Sequence, residues 1–207
     1  MVYECDATTT NRVIQLTTNR QDKSLSGSVG RVTYKEPMHL WDKVSGNLAD
    51  FTKFSFVIES QNKTSNADGF AFFLTSNGST LENHSGGGTL GLISSYPTFY
   101  HDTYSFAAAE FDTFQNDWDP PKMDDHVGID IKSLYSASFV NWSWSDIKHG
   151  RKFEAWISYS SSSKNLCALL VEGTDGYNQW VTFVFSGSTA KLFEILKIHT
   201  WEFSSPL

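Results

Sequence analysis

Residues Glu110–Asp130 read EFDTFQNDWDPPKMDDHVGID. The stretch opens at the end of an apolar, alternating run, Tyr104–Phe114 (YSFAAAEFDTF), and closes in a second one, His126–Ile131 (HVGIDI). Both runs read as β-strands, and the Asn-, Asp- and Pro-rich centre reads as the loop between them. Side chains at i and i+2 of a strand share a face. Glu110 and Asp112 therefore lie together at the strand's end, with Phe111 turned to the opposite side. Two carboxylates held this close repel unless something positive neutralises them.

Strand signals recur along the rest of the chain. They fall at Val13–Thr17, Gly30–Lys35, Phe51–Glu59, Gly69–Thr75, Lys152–Ser160, Leu166–Glu172, Trp180–Ser186 and Ile195–Phe203. In FTKFSFVIE, Thr52, Phe54, Phe56 and Ile58 form one face and read as core. Phe51, Lys53, Ser55, Val57 and Glu59 form the other. Between the runs lie NGS, SGGG, NDWDPP and TDGYN, which are turn compositions. No window of a dozen residues carries a capped helical stripe, and no repeat or linker interrupts the chain. The pattern predicts an all-β fold of two facing sheets, with residues 1–207 as a single domain.

Composition narrows the function. Hydrophobic residues make up 40% of the 207, and 16 Lys plus Arg stand against 23 Asp plus Glu, a formal charge of -7. An acidic chain without a basic cluster is a poor partner for nucleic acid or an anionic membrane. No apolar run reaches the roughly 18 residues of a membrane span. The opening MVYECDATTTN lacks the basic head and apolar stretch of a signal peptide, and a mature secreted chain with an added Met would look the same. Cys5 and Cys167 leave two readings open, a pair of free thiols or one disulfide across a long loop. Asn62, Asn77, Asn83 and Asn141 each open an N-x-Ser/Thr glycosylation triplet.

The ligand types in the acidic stretch sort by hardness. Asp112, Asn116 and Asp119, with a backbone carbonyl between them, offer oxygens suited to Ca2+. Glu110 and His126 add a carboxylate and an imidazole, and one nitrogen among carboxylates suits Mn2+ or another transition ion. Asp112 and Asp119 are placed to serve both ions. The alternative is a solvated acidic surface loop. Asp117, Asp124 and Asp125 read as solvent-facing charges in either case.

The ordered motifs EFDTFQNDWDPPKMDDHVGIDIKS, SVGRVTY with MHLWD, NADGFAFFL, GGGTLGL and HTWEF resemble those of the legume lectins, over nearly the whole chain. The resemblance implies a two-sheet jelly-roll sandwich without catalytic activity that binds glycans and glycoproteins beside Ca2+ and Mn2+. By resemblance, Glu110, Asp112, Asp119 and His126 hold the transition ion. Asp112, Asn116, Asp119 and the carbonyl of Phe114 hold calcium, and Ser136 holds a metal-bound water. The sugar contacts carried over are Asp68 as acceptor, Asn116 and the Gly88 N–H as donors, Phe114 as stacking ring, and Lys191 and Leu192 in the last loop. A cis bond is expected at Ala67-Asp68. The last loop has the short length of mannose/glucose-binding members, although Lys191 is an uncommon choice there and Ala190 stands where Gly is usual.

Two family segments have no counterpart here: a strand before CDATTTNRVIQLT, and one of the type SxxVDL after LCALLVEG. Both are expected in the flatter back sheet. The family's pairing through that sheet is then either altered, as in a homo-oligomer with a non-standard interface, or lost, or used to cover the exposed edge, and a shortened form or fragment is the other reading. The resemblance further implies the secretory pathway, with an extracellular or vacuolar destination. Two other functions stay open. One is a lectin-like defence or storage protein that has lost sugar binding. The other is a jelly-roll glycoside hydrolase, for which Phe114 stands where a third acidic residue would be needed on the strand.

Overall fold

The computed structural model describes residues 1–19, 26–39, 51–61, 65–95, 105–142, 150–160, 165–167 and 180–204. Among these, fourteen strands form two antiparallel sheets, with a single 3-10 turn at Gly87–Thr89 and no α-helix. One sheet contains β1 (Val2–Cys5), β4 (Val29–Thr33), β13 (Trp180–Ser188), β7 (Gly69–Ser76), β8 (Phe106–Asp112), β9 (His126–Ile131) and β10 (Ser138–Asn141), in that order, with β5 (Met38–His39) also on β13. The other runs β12 (Asn165–Cys167), β11 (Lys152–Ser160), β6 (Phe51–Glu59), β14 (Ile195–Ser204), β3 (Val13–Gln15) and β2 (Thr8–Thr10). The expected all-β sandwich is the observed one.

Alternation explains how the sheets meet. Thr52, Phe54, Phe56 and Ile58 of β6 are buried, as their parity requires. They face Phe70 and Phe72 of β7, Phe111 of β8 and Phe183 and Phe185 of β13 across the sandwich. Phe54 lies at the centre, with ring centroids 5.1 Å from Phe185, 5.5 Å from Phe72, 5.8 Å from Phe111 and 5.9 Å from Phe56. On the outer face of β6, Ser55 meets Thr200 at 2.6 Å, and Glu59 pairs with Lys197 at 2.8 Å.

The eight-stranded sheet is also covered on its outer side. Ala71 and Phe73 of β7, Phe106 and Ala108 of β8 and Val184 of β13 form a second cluster with Leu90, Leu92 and Ile93 of the loop that crosses them. Two-sided burial is the reason GFAFFLT reads as an almost unbroken apolar run rather than an alternating one.

The sequence reading misses β1, β2, β5 and β10. Apart from β5, these are outer strands, and every residue of β2 and β10 is exposed. A strand that pairs on one side and faces solvent carries little apolar periodicity. Of the expected Leu166–Glu172 strand, the described part is β12, and the remainder lies outside the described residues. Cys5 has a free thiol. It lies at the β1 edge of one sheet, while Cys167 lies in β12 at the edge of the other, so the disulfide reading is set aside.

Phe54→Ala would leave a cavity among five aromatic rings. The expected destabilisation is about 3–5 kcal/mol. Trp156, 55% exposed on β11, should lose under about 1 kcal/mol on the same change. Chemical denaturation of both variants checks the contrast.

Candidate metal and saccharide site

Antiparallel register builds the acidic cluster. Asp112 pairs with His126, Glu110 with Gly128 and Ala108 with Asp130 across β8 and β9. Directly opposed residues share a face, so Glu110, Asp112, His126 and Asp130 all project to the outer side of the sheet, away from Phe111. None is more than 2% exposed. Gly128 makes this arrangement possible, because a Cβ there would run into the Glu110 carboxylate and the Ser136 hydroxyl. The Ser136 hydroxyl lies within hydrogen-bond reach of the Glu110 carboxylate and, at 3.0 Å, of Asp130, and its single proton serves one of them at a time. His126 Nε2 lies 3.1 Å from Glu110 Oε1. Asp119 arrives from the loop and accepts the backbone N–H of Asn116, and Asp112 accepts that of Phe114 at 2.7 Å.

These groups are electrostatically uneasy. Burial, then the charges of Glu110 and Asp119, push Asp112 well above the usual carboxylate range. Burial and Glu110 do the same to Asp130. Burial raises Asp119 to about 6, against the N–H of Asn116. For His126 burial favours the neutral ring, but the hydrogen bond and charge of Glu110, with Asp119 and Asp125, outweigh it and raise the imidazole. Buried Asn116 Oδ1, Asp119 Oδ1, Asp130 Oδ2 and His126 Nδ1 have no hydrogen-bond partner.

As the side chains stand, no three His, Cys, Asp or Glu among the described residues are arranged to hold a metal ion. The donor set nevertheless fits the two ions expected from the sequence. Carboxylates and an amide oxygen suit Ca2+, and the same carboxylates with one imidazole suit Mn2+. The unpartnered oxygens of Asn116 and Asp119 belong to that set. Asp117 and Asp124 are exposed as expected, and Asp125 is half-buried.

Beside the cluster, three loops converge. Asp68 follows a cis Ala67-Asp68 bond, as the resemblance implies. It is 2% exposed, accepts the Ala190 N–H through its carboxylate, and is raised to about 6 by burial against that bond. The Asn116 side chain lies over Gly88, where any Cβ would displace its carboxamide. Phe114, on the parity of Glu110 and Asp112, lies past the end of β8 and is 41% exposed. Lys191 is exposed, Leu192 is half-buried, and Ala190 has no positive φ, so Gly is not required there. An open cleft of about 420 Å³ lies along Gln115, Asn116, Asp117, Asp119 and Pro121. Buried acceptors beside an exposed ring suit a saccharide, which offers hydroxyls and an apolar C–H face.

Of the glycosylation candidates, Asn77, Asn83 and Asn141 are exposed, and Asn62 lies outside the described residues. The sequence reading did not single out Asp130 or Glu194. Asp130 shares parity with His126 and Gly128 on β9, and Glu194 interrupts the apolar run Leu192–Leu196; each signal was present in the sequence.

The architecture is a two-sheet β-sandwich with a buried acidic cluster beside converging loops, and comparison gives the family. The model of the legume lectin domain matches residues 1–206. Lectin 10 of Medicago truncatula is 35% identical over 221 residues, covering 98% of this chain and 77% of its own. The Lotus tetragonolobus seed lectin superposes with a TM-score of 0.84 at 28% identity, over 100% of this chain and 93% of its own. A Bauhinia forficata lectin solved with GalNAc gives 0.83 at 28% identity, with the same coverage. This chain belongs to the legume lectin family, a family of carbohydrate-binding proteins.

The raised carboxyls fix the pH response of the metal-free protein. A folded-state pKa above the unfolded value means that folding favours the protonated group. The resulting stability is complete below the ordinary carboxylate range near pH 4. It is lost as pH rises through about 6 for Asp68 and Asp119 and about 8 for Glu194. Metal-free protein should melt at a lower temperature at about pH 8.5 than at about pH 5, as thermal unfolding in chelator would record.

Proposed function

We propose that residues 1–207 form one lectin domain that binds glycans and glycoproteins without catalysis, its site set by Ca2+ and by Mn2+ or another transition ion. The observation that carries this reading is the meeting of buried Asp68, Asn116 over Gly88 and exposed Phe114 beside the carboxylate cluster. Glu110, Asp112, Asp119 and His126 would hold the transition ion. Asp112, Asn116, Asp119 and the Phe114 carbonyl would hold calcium, with Ser136 on a metal-bound water. When bound, the ions supply the positive charge that the buried carboxylates lack.

In this reading Asp68 accepts from adjacent sugar hydroxyls. Asn116, the Gly88 N–H and the backbone at Lys191 and Leu192 donate, and Phe114 covers the C–H face. Hydrolysis would require two available carboxylates about 5–9.5 Å apart across the bond. Glu110 is instead engaged by His126 and Ser136, and Phe114 stands at the third strand position. Exposed Asn77, Asn83 and Asn141 support passage through the secretory pathway, and a homo-oligomer with a non-standard interface fits the outer strands of both sheets. No described helix is long and apolar enough to cross a membrane.

For specificity we infer mannose/glucose-type glycans. The short last loop brings the Ala190 backbone onto Asp68, and in this reading an equatorial 4-hydroxyl is the one it accommodates. A second reading, galactose-type sugars, is favoured by the GalNAc in the Bauhinia lectin. Competition for an immobilised glycoprotein decides between them. Methyl mannoside should compete roughly tenfold better than galactose, and Asp68→Asn should lose a charge-assisted bond of about 1.5–3 kcal/mol and with it detectable binding. Stronger competition by galactose would replace the first reading with the second. Unchanged binding in Asp68→Asn would put the sugar elsewhere.

A further inference from the structure

Glu194 is fully buried and lies in none of the contacts assigned so far. Its Oε2 accepts Thr113 Oγ1 at 2.9 Å and Asn66 Nδ2 at 3.1 Å. Its backbone carbonyl accepts Thr17 Oγ1 at 2.8 Å, and that hydroxyl in turn accepts the N–H of Leu196 at 3.0 Å. Thus the backbone of Glu194 is pinned at the start of β14 while its carboxyl reaches into the loops.

Both residues it reaches lie on segments of the proposed saccharide site. Asn66 stands two positions before Asp68, on the segment with the cis bond. Thr113 lies between the end of β8 and Phe114, and its N–H donates to the Asp68 carbonyl at 3.1 Å. The Asp68 N–H donates to Ser188 O at 3.1 Å, and the Asp68 carboxylate accepts the Ala190 N–H. Three segments that are far apart in sequence, around residues 66–68, 112–116 and 188–194, are therefore stitched together, and the Glu194 carboxyl is the side chain that touches both of the others.

We propose that Glu194 is a positioning residue of the saccharide site, holding the Asp68 segment and the Phe114–Asn116 segment in register with the last loop. The proposal rests on the reading of Asp68 and Asn116 as sugar contacts. Glu194→Ala would release Asn66 and Thr113 together, whereas Glu194→Gln keeps one oxygen to accept from both.

The same surroundings give the tie a charge requirement. Its hydrogen-bonding neighbours, Asn66, Thr113 and Thr17, are neutral, and the charged groups that act on it, Asp68 from the cis-bond loop and Asp125 from the acidic loop, are both negative. Burial raises the carboxyl to about 8. Below that value the tie is neutral. Above it, a second buried charge appears behind Asp68, and the register that Asp68 depends on is strained. Sugar binding should then fall on the alkaline side, a limb separate from the acidic one set by protonation of Asp, Glu and His in the metal cluster.

The experiment titrates methyl α-mannoside and methyl β-galactoside calorimetrically into wild type, Glu194→Gln and Glu194→Ala, each loaded with Ca2+ and Mn2+, at about pH 7 and about pH 9. Metal content and melting curves are recorded alongside. We expect wild type to bind one glycoside and to weaken several-fold at the higher pH. Glu194→Ala should bind at least about tenfold more weakly at neutral pH with its metal content retained. Glu194→Gln should restore most of that affinity and lose the alkaline weakening. If Glu194→Ala does not fold, the Gln variant decides alone, and an alkaline loss equal to that of wild type overturns the proposal. Binding in both variants that follows wild type at both pH values also overturns it, with the sugar site left standing. A wild type that binds neither glycoside overturns the sugar-site reading itself, and this proposal with it.

Discussion

Four carboxylates buried around one imidazole, at the end of two paired strands, are the constraint on which the site depends. Glu110, Asp112, Asp119 and Asp130 are each at most 7% exposed. Leaving such groups ionised without a counter-charge is expensive in a low-dielectric interior. Local partners lessen the problem. His126 and Ser136 engage Glu110, backbone N–H groups engage Asp112 and Asp119, and burial and neighbouring charge raise Asp112, Asp119 and Asp130 above the usual carboxylate range. These partners do not reach every atom: Asn116 Oδ1, Asp119 Oδ1 and Asp130 Oδ2 are unpartnered oxygens, the donor type that hard divalent cations take. The chemistry that disfavours the bare site is the chemistry that favours divalent cations.

The sandwich tolerates this cluster because its centre is strongly apolar on both sides of the sheet that carries it. Phe54 and its ring neighbours fill the space between the sheets, and Leu90, Leu92 and Ile93 cover the outer face. Small residues then make room for polar ones. Gly128 admits the Glu110 carboxylate, Gly88 admits the Asn116 carboxamide, and Gly69, at φ 121°, lies so close to the Phe111 carbonyl that no Cβ could be accommodated. The sheet supplies register, the loops supply the groups that meet a ligand, and hydrogen bonds among the loops fix them relative to one another.

Much of this was legible in the residues. Parity alone put Glu110 and Asp112 together opposite Phe111, and it put Thr52, Phe54, Phe56 and Ile58 in the core. The same rule, extended along β9, reaches Asp130 from His126. Edge strands were not legible, because the all-exposed Thr8–Thr10 and Ser138–Asn141 have no buried face to impose a period. Phe114 shows the limit of local pattern: an aromatic directly after an apolar strand reads as core, yet it lies past the strand's end at Asp112 and is exposed. Glu194 shows another limit. A lone Glu between Phe193 and Ile195 looks like a surface break in a strand, and only the tertiary meeting with Asn66 and Thr113 makes its burial intelligible.

The central claim is that the buried carboxylates are incomplete without cations, and unfolding under controlled metal concentration tests it most directly. Scanning calorimetry at about pH 7.5, with Ca2+ and Mn2+ raised from chelated levels, should show a melting temperature that climbs with the logarithm of ion concentration, as binding to the folded state requires. Substitution of Asp119, whose partner-poor carboxylate belongs to both proposed ligand sets, should flatten that climb. A melting temperature indifferent to both ions in the unsubstituted protein would contradict the account.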